Sequence, residues 1–387
     1  MCIRDSQKTY TEEMDIQMVD LIAQYRAVKN EIDSAIQDVL NSARFIKGPI
    51  VQSFEEELSE FLSGASVITC ANGTDALQIA LMSLGLKPGD EVIVPAFTYV
   101  ATAEVIGLLG LRPIMVDVDP DFFNTDVSFI ASHITPRTKA IVPVHLYGQS
   151  CDLGPIMKLA KDHDLYVIED AAQSIGSKVY MNDEWHHSGT VGHIGCTSFF
   201  PSKNLGCYGD GGALFTRDKS LAEKIKMIAN HGQKKKYYHS VIGVNSRLDA
   251  LQAAVLRIKL RHLRKYCEVR NQVADSYDQA FADHDFLAIP KRSTYSKHVF
   301  HQYTLKVAGG HRDNLKSYLS SRQIPSMIYY PLPLYEQEAY KEFYDGVGLK
   351  HTEKLCRSVL SLPIHTEMTE SQLDYIQEGV LSYFRSI

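Results

Sequence analysis

Tyr166-Val167-Ile168-Glu169-Asp170-Ala171-Ala172-Gln173-Ser174 opens on a short apolar run and closes on two adjacent carboxylates followed by small residues. So brief a run reads as a buried strand, and its polar end as the place where chemistry meets solvent. Comparable runs flank it at 67–70, 91–94, 114–118 and 140–144 on one side and at 197–200 and 213–216 on the other. Helical patterns alternate with them. In 74–84, Leu77, Leu81 and Leu84 share a face; in 248–260, Leu251, Val255 and Ile258 do. Short strands joined by crossover helices predict an α/β fold built around a large three-layer αβα domain.

The chain has 387 residues, 45% apolar and 22% charged, which excludes disordered, collagen-like and coiled-coil classes and allows two domains. Residues 1–14 carry no pattern and are assigned no role. Residues 15–62 read as a helical segment interrupted at Gly48-Pro49, 63–262 as the large domain, and 263–387 as a smaller α+β domain punctuated by Pro325, Pro331, Pro333 and Pro363. A net charge of −6 repels polyanions, so no nucleic-acid partner is expected. No run approaches the roughly 20 apolar residues of a membrane span, and the amino terminus lacks a signal-peptide pattern. Seven scattered cysteines without a C-x-x-C pair indicate reduced thiols rather than a disulfide framework or zinc, hence a cytoplasmic protein. Trp185-His186-His187 with His193 lacks metal-ligand spacing, so no metal is expected. Lys234-Lys235-Lys236 reads as a solvated loop, and Tyr237-Tyr238-His239 as loop surface or interface.

Four strand ends are chemically loaded. At Cys70-Ala71-Asn72-Gly73-Thr74-Asp75 a strand turns through glycine into a helix whose first amides lack internal acceptors, which makes either a phosphate site or simply a capped helix. Asp170 is placed to hold a cationic ring nitrogen protonated, although a strand-end aspartate also serves as a cap or metal ligand. In Phe199-Phe200-Pro201-Ser202-Lys203-Asn204-Leu205-Gly206 a lysine lies among apolar and small residues, where a desolvated amine becomes a nucleophile; on the surface it would be an ordinary solvated charge. The run Gly209-Asp210-Gly211-Gly212-Ala213 suggests backbone packed against a bound group. Pro95-Ala96-Phe97-Thr98-Tyr99 brings aromatic rings to a strand end, as core or as a stacking face. Phosphate cradle, aromatic face, carboxylate and apolar lysine together describe a pyridoxal phosphate site.

Asn72-Gly73-Thr74-Asp75-Ala76-Leu77, residues 95–102, Glu169-Asp170-Ala171-Ala172-Gln173 and the Lys203 segment resemble the signature segments of the DegT-type sugar aminotransferases, a likeness running from about residue 16 to the end. The resemblance implies an aspartate-aminotransferase-like fold (PLP fold type I) with a mixed seven-stranded sheet. It implies that Lys203 joins pyridoxal 5'-phosphate as a Schiff base and then moves the substrate proton. Asp170 would pair with the ring nitrogen and Gln173 would contact the ring hydroxyl side. Gly73, Thr74 and Ser198 would bind the phosphate, and Tyr99, with Phe97 as the lesser choice, would stack on the ring. Gly243-Val244-Asn245-Ser246-Arg247-Leu248-Asp249 matches a segment whose asparagine, here Asn245, reaches the phosphate of the neighbouring subunit, so a homodimer with shared active sites is expected.

The segments 193–200, 231–234 and 328–334 most resemble enzymes that aminate UDP-2-acetamido-2-deoxy-3-oxoglucuronate for bacterial surface polysaccharides. Glutamate is then the amino donor, yielding 2-oxoglutarate. Arg247 would pair with the sugar carboxylate, and Tyr329 or Tyr330 would bind sugar hydroxyls. Three other readings stay open: a UDP- or dTDP-linked keto sugar aminated at C3 or C4, a related sugar dehydratase, whose members carry histidine at the position of Lys203, and a regulatory protein that binds the cofactor without turnover.

Overall fold

The computed structural model describes residues 15–344 and 346–387; segment 1–14 lies outside the described residues. Seven strands form the central sheet: β1 (Ser66–Cys70), β2 (Glu91–Pro95), β3 (Arg112–Val116), β4 (Thr138–Ile141), β5 (Tyr166–Asp170), β6 (Ile194–Ser198) and β7 (Gly212–Thr216). They lie in the order β1-β7-β6-β5-β4-β2-β3. All seven expected strands are present, with shifted ends. Pro143 has no N–H to give to a ladder, so β4 stops at Ile141, and Val144 meets Asp170 only as an isolated bridge. Phe199 and Phe200 fall outside β6: Phe199 is fully buried with its ring edge against Phe54, while Phe200 is exposed.

The sheet is mixed, as the family resemblance implies and strand–helix alternation alone does not. From β3 through β2, β4, β5 and β6 the pairings are parallel, but β7 runs antiparallel to both β6 and β1. The cause is the connection: β6 and β7 are joined by a turn-rich segment without a crossover helix, and a chain that returns directly must pair antiparallel.

Both faces of the sheet are covered, which explains the continuous apolar runs. Ile168 and Leu214 point into a core under helices Gly73–Leu84, Ala101–Leu108 and Lys219–Ile228. Their neighbours Val167 and Phe215 point the other way, the latter towards helices Pro49–Phe61 and Ala250–Phe281. Burial of a side chain such as Phe54, Leu58 or Phe215 contributes about 1.5–3 kcal/mol. The last helix continues well past the expected 248–260. Its first half lies on the sheet, and Val273, Ala274, Tyr277 and Phe281 belong to a second core with strands Tyr303–Val307 and Val359–Leu362 and helix Glu370–Arg385. Lys234-Lys235-Lys236 is not a plain loop: strands Gln233–Lys235 and Tyr238–His239 form a small exposed hairpin.

Arg270, in the middle of the long helix, is 2% exposed and donates from one guanidinium nitrogen to the carbonyls of Phe300 (3.1 Å), His301 (3.3 Å) and Ile364 (3.0 Å). Burial pulls its pKa down to about 10, the Cys267 thiol opposing. Replacing it by methionine keeps most of the volume and strips three carbonyls of their donor. Arg270→Met is therefore expected to cost about 2–4 kcal/mol, read as a lower urea midpoint; an unchanged midpoint would remove the guanidinium from the account of how these segments are joined.

Candidate active site

The carboxyl ends of β1, β5 and β6 bring the expected residues together. Asp170 ends β5 and is 6% exposed. Its Oδ2 accepts from the Thr102 hydroxyl at 2.8 Å and its Oδ1 from the Ala172 amide at 3.1 Å. Desolvation raises its pKa, against the pull of Thr102, Ala172 and the charge on Lys203. Lys203 sits in the turn after β6, closed by its own amide bonding the Phe200 carbonyl at 2.8 Å and held by Asn204, which donates to the Val299 carbonyl at 3.0 Å. Loss of hydration pulls its amine down to about 8, with Asp170 opposing. The two groups thus sense each other in a place where water screens little.

Glu169 points to the other side of the strand and is fully buried. It accepts from His145 Nε2 at 2.8 Å and from the amides of Gly189 (2.6 Å), Val191 (2.8 Å) and Gly192 (2.6 Å). Desolvation alone would raise its pKa; His145 and these amides overcome it and hold the carboxyl below its usual range. His145 Nδ1 accepts from the Cys151 amide at 3.1 Å, so Nε2 carries the proton given to Glu169. Nearby, His193 is structural: its Nδ1 accepts from the Val167 amide.

Helix Gly73–Leu84 begins beside this pair. Asn72 caps it by accepting from the Asp75 amide at 2.8 Å, which leaves the amides of Gly73 and Thr74 without acceptors in the helix. A Cβ on Gly73 would stand 2.7 Å from that of Ser198, so the two residues make one narrow cradle. The cradle suits a phosphate: free amides, a hydroxyl and a helix dipole converge. The glycines after Lys203 serve a different end from the one expected. A Cβ on Gly212 would fall 2.4 Å from the Asn72 carbonyl oxygen and one on Gly211 2.9 Å from Leu248, so this run packs against the protein's own chain.

Of the two candidate rings, Phe97 is 1% exposed and packed in the core with Phe123, whereas Tyr99 is 58% exposed. Tyr99 is the ring free to stack. Its centroid lies 6.3 Å from that of Tyr330, whose hydroxyl accepts from Gln173 Nε2 at 3.2 Å. Gln173 Oε1 in turn accepts from the Tyr147 amide at 2.7 Å, and the Tyr147 hydroxyl donates to the Tyr329 carbonyl. Lys203, Asp170, Gln173, Tyr99, Tyr329 and Tyr330 therefore form one connected neighbourhood. Asn245 and Arg247 stand apart from it. Between them, Ser246 accepts from the Ala71 amide (2.9 Å) and donates to Asp75 Oδ2 (2.6 Å). Asn245 is exposed, and Arg247 reaches Asn230 Oδ1 at 3.4 Å in a groove on the outer side of β1.

Sequence reasoning singled out no role for Thr102, Tyr147, His145 or Ser246. Thr102 lay within a quoted segment and carried a readable signal, a hydroxyl in the first turn of a helix following a strand end. Tyr147 gave none: its backbone is left-handed at φ 57°. Among the described residues the six cysteines are unpaired, and no helix is long and apolar enough to cross a membrane.

Comparison with known proteins bears on this arrangement. Residues 26–381 match the family described as DegT/DnrJ/EryC1/StrS aminotransferases. A pleiotropic regulatory protein of Geobacillus stearothermophilus is 43% identical, over 96% of this chain and 99% of its own. The UDP-2-acetamido-2-deoxy-3-oxo-D-glucuronate aminotransferase of Pseudomonas aeruginosa is also 43% identical, over 93% and 98%. The crystal structure of S. venezuelae DesV in complex with a ketimine intermediate superposes with a TM-score of 0.91 at 37% identity, covering 95% of this chain and 98% of that one.

Gly73→Ala forces Ser198 out of the cradle. Affinity for a phosphate-bearing ligand, titrated with pyridoxal 5'-phosphate by its visible absorbance, is expected to fall about tenfold or more, as 1–3 kcal/mol of overpacking implies. Wild-type affinity in the variant would mean that phosphate binds elsewhere.

Proposed function

The chain belongs to the DegT/DnrJ/EryC1/StrS aminotransferase family, and we propose that it transfers an amino group from L-glutamate to UDP-2-acetamido-2-deoxy-3-oxoglucuronate in bacterial surface polysaccharide biosynthesis. The enzyme is a transaminase and its cofactor is pyridoxal 5'-phosphate. What supports the assignment of residues is one observation: the Lys203 amine and the buried Asp170 carboxylate come together beside a glycine-lined cradle, where burial lowers the pKa of the one and raises that of the other. When bound, the cofactor supplies an electron sink for the carbon that loses its proton.

The chain's own residues then have distinct tasks. The Gly73 and Thr74 amides with the Ser198 hydroxyl would hold the phosphate, and Tyr99 would stack on the ring. Asp170, fixed by Thr102 and Ala172, keeps a proton on the ring nitrogen through an attraction that low dielectric strengthens. Gln173, oriented by Tyr147 and Tyr330, borders the ring hydroxyl. Lys203 would hold the cofactor through its aldehyde, and its free amine would take the proton from the donor α-carbon and return it. A base with a pKa near 8 suits that double duty at neutral pH.

Asn245 and Arg247 are proposed to act in the active site of a second copy, Asn245 on its phosphate and Arg247 on the carboxylate of its sugar. Among the described residues no hydrogen bond joins either to the Lys203 neighbourhood, which supports a homodimer with shared active sites. A neutral UDP- or dTDP-linked keto sugar aminated at C3 or C4 is the alternative substrate. The proposal extends to a cytoplasmic enzyme with a large cofactor-binding unit over 63–262 and a smaller one over 263–387. A purely regulatory role, which the Geobacillus relative's name raises, leaves unexplained why a binding module would hold Lys203 beside Asp170.

Three outcomes are expected. Loading of cofactor-free protein with pyridoxal 5'-phosphate, followed by the visible absorbance of the Schiff base, speeds up with rising pH around a midpoint near 8, because only the unprotonated Lys203 amine attacks; Lys203→Ala shows only the absorbance of the free aldehyde. Glutamate shifts the absorbance of the loaded enzyme, and a spectrum indifferent to glutamate would favour the regulator. Across a panel of nucleotide keto sugars, Arg247→Ala raises KM about tenfold for the uronate and leaves neutral sugars alone; equal loss for both refutes carboxylate recognition.

A further inference from the structure

A groove with a volume of about 760 Å³ lies along the outer edge of β1, away from Lys203. Its walls come from four parts of the chain: helix Pro49–Phe61 with the residues before it, β1, the end of helix Lys219–Ile228 with the residues after it, and the stretch 246–248. Three cations line it, Lys47, Lys226 and Arg247. Among the described residues none of the three is ion-paired with a carboxylate.

The two carboxylates on the wall are otherwise engaged. Glu55 Oε1 accepts from the Thr69 amide (3.0 Å) and hydroxyl (2.8 Å), and Glu56 Oε1 accepts from Gln52 at 2.8 Å. The cations feel one another: after partial burial, Arg247 and then Lys226 are the largest influences lowering the Lys47 amine, with Glu55 opposing. In a chain of net charge −6, three unpaired cations against two carboxylates leave this one concavity with an excess of positive charge that an anion would relieve. The groove is also joined to the phosphate cradle. Ser246, next to Arg247, bonds the Ala71 amide and Asp75 at the head of helix Gly73–Leu84.

We propose that this groove binds the acidic portion of the nucleotide sugar held in a second copy's active site, with Lys47 and Lys226 acting beside Arg247 as specificity-determining cations. The proposal rests on the reading of the chain as a nucleotide-sugar aminotransferase and deepens it: a single arginine answers one carboxylate, whereas three cations answer a ligand carrying several anionic oxygens. Those oxygens belong either to the sugar carboxylate or to the diphosphate, and the two sources are separable.

The test is binding of UDP-glucuronic acid and of UDP-glucose, which differ in the carboxylate, to the cofactor-loaded protein by calorimetry; it needs no turnover. Lys47→Gln and Lys226→Gln are each expected to weaken UDP-glucuronic acid about tenfold, with Lys47→Arg restoring it. Loss confined to UDP-glucuronic acid assigns the cations to the carboxylate, and equal loss for both nucleotides assigns them to the diphosphate. Wild-type affinity for both ligands in both glutamine variants, at an unchanged thermal midpoint, overturns the proposal. Transamination that fails in the wild type while these binding differences persist would instead discredit the proposed reaction and leave the groove standing.

Discussion

An acid and an amine at the mouth of the sheet, the one buried and the other half-buried, set the terms for the surrounding structure. Leaving either ionisable group uncompensated in such a place is costly, so the fold surrounds them with specific partners. Thr102 and Ala172 take up both oxygens of Asp170, and Asn204 pins the turn that carries Lys203. The strand supplies a further economy. Because successive side chains of β5 face opposite ways, Glu169 and Asp170 divide the labour: one gathers His145 and three backbone amides behind the sheet, the other faces the reacting space.

Much of this was legible in the amino-acid sequence because it rests on local patterns. A run such as 166–169, apolar at every position but the last, needs cover on both faces, and that requirement leads to a helix-flanked sheet. Residues at strand ends are identifiable for the same reason: an open α/β sheet exposes chemistry only there. Lys203, Asp170, Gly73 and Gln173 all stand at such ends, and the structure gathers them.

The parts that escaped are those decided by distance in the chain. Nothing around Tyr147 announces that its hydroxyl reaches the Tyr329 carbonyl or that its amide orients Gln173; only the folded path brings 147, 173 and 329 together. The reversed direction of β7 follows from what the segment before it lacks, which strand–helix alternation does not register. The glycines at 211 and 212 looked like room for a ligand, yet they make room for Leu248 and the Asn72 carbonyl. Arg247 could be named as a cation of interest, but its place in a groove with Lys47 and Lys226 depends on three segments far apart in sequence.

The helix Ala250–Phe281 belongs to both hydrophobic cores without interruption. At 1.5 Å per residue its 32 residues make a rod of about 48 Å, stiff over that length. A rod rooted at both ends denies the carboxyl-terminal unit a free hinge at this crossing: displacement there tilts the whole rod and is felt at Leu248 and Ala250, beside the Gly211 turn.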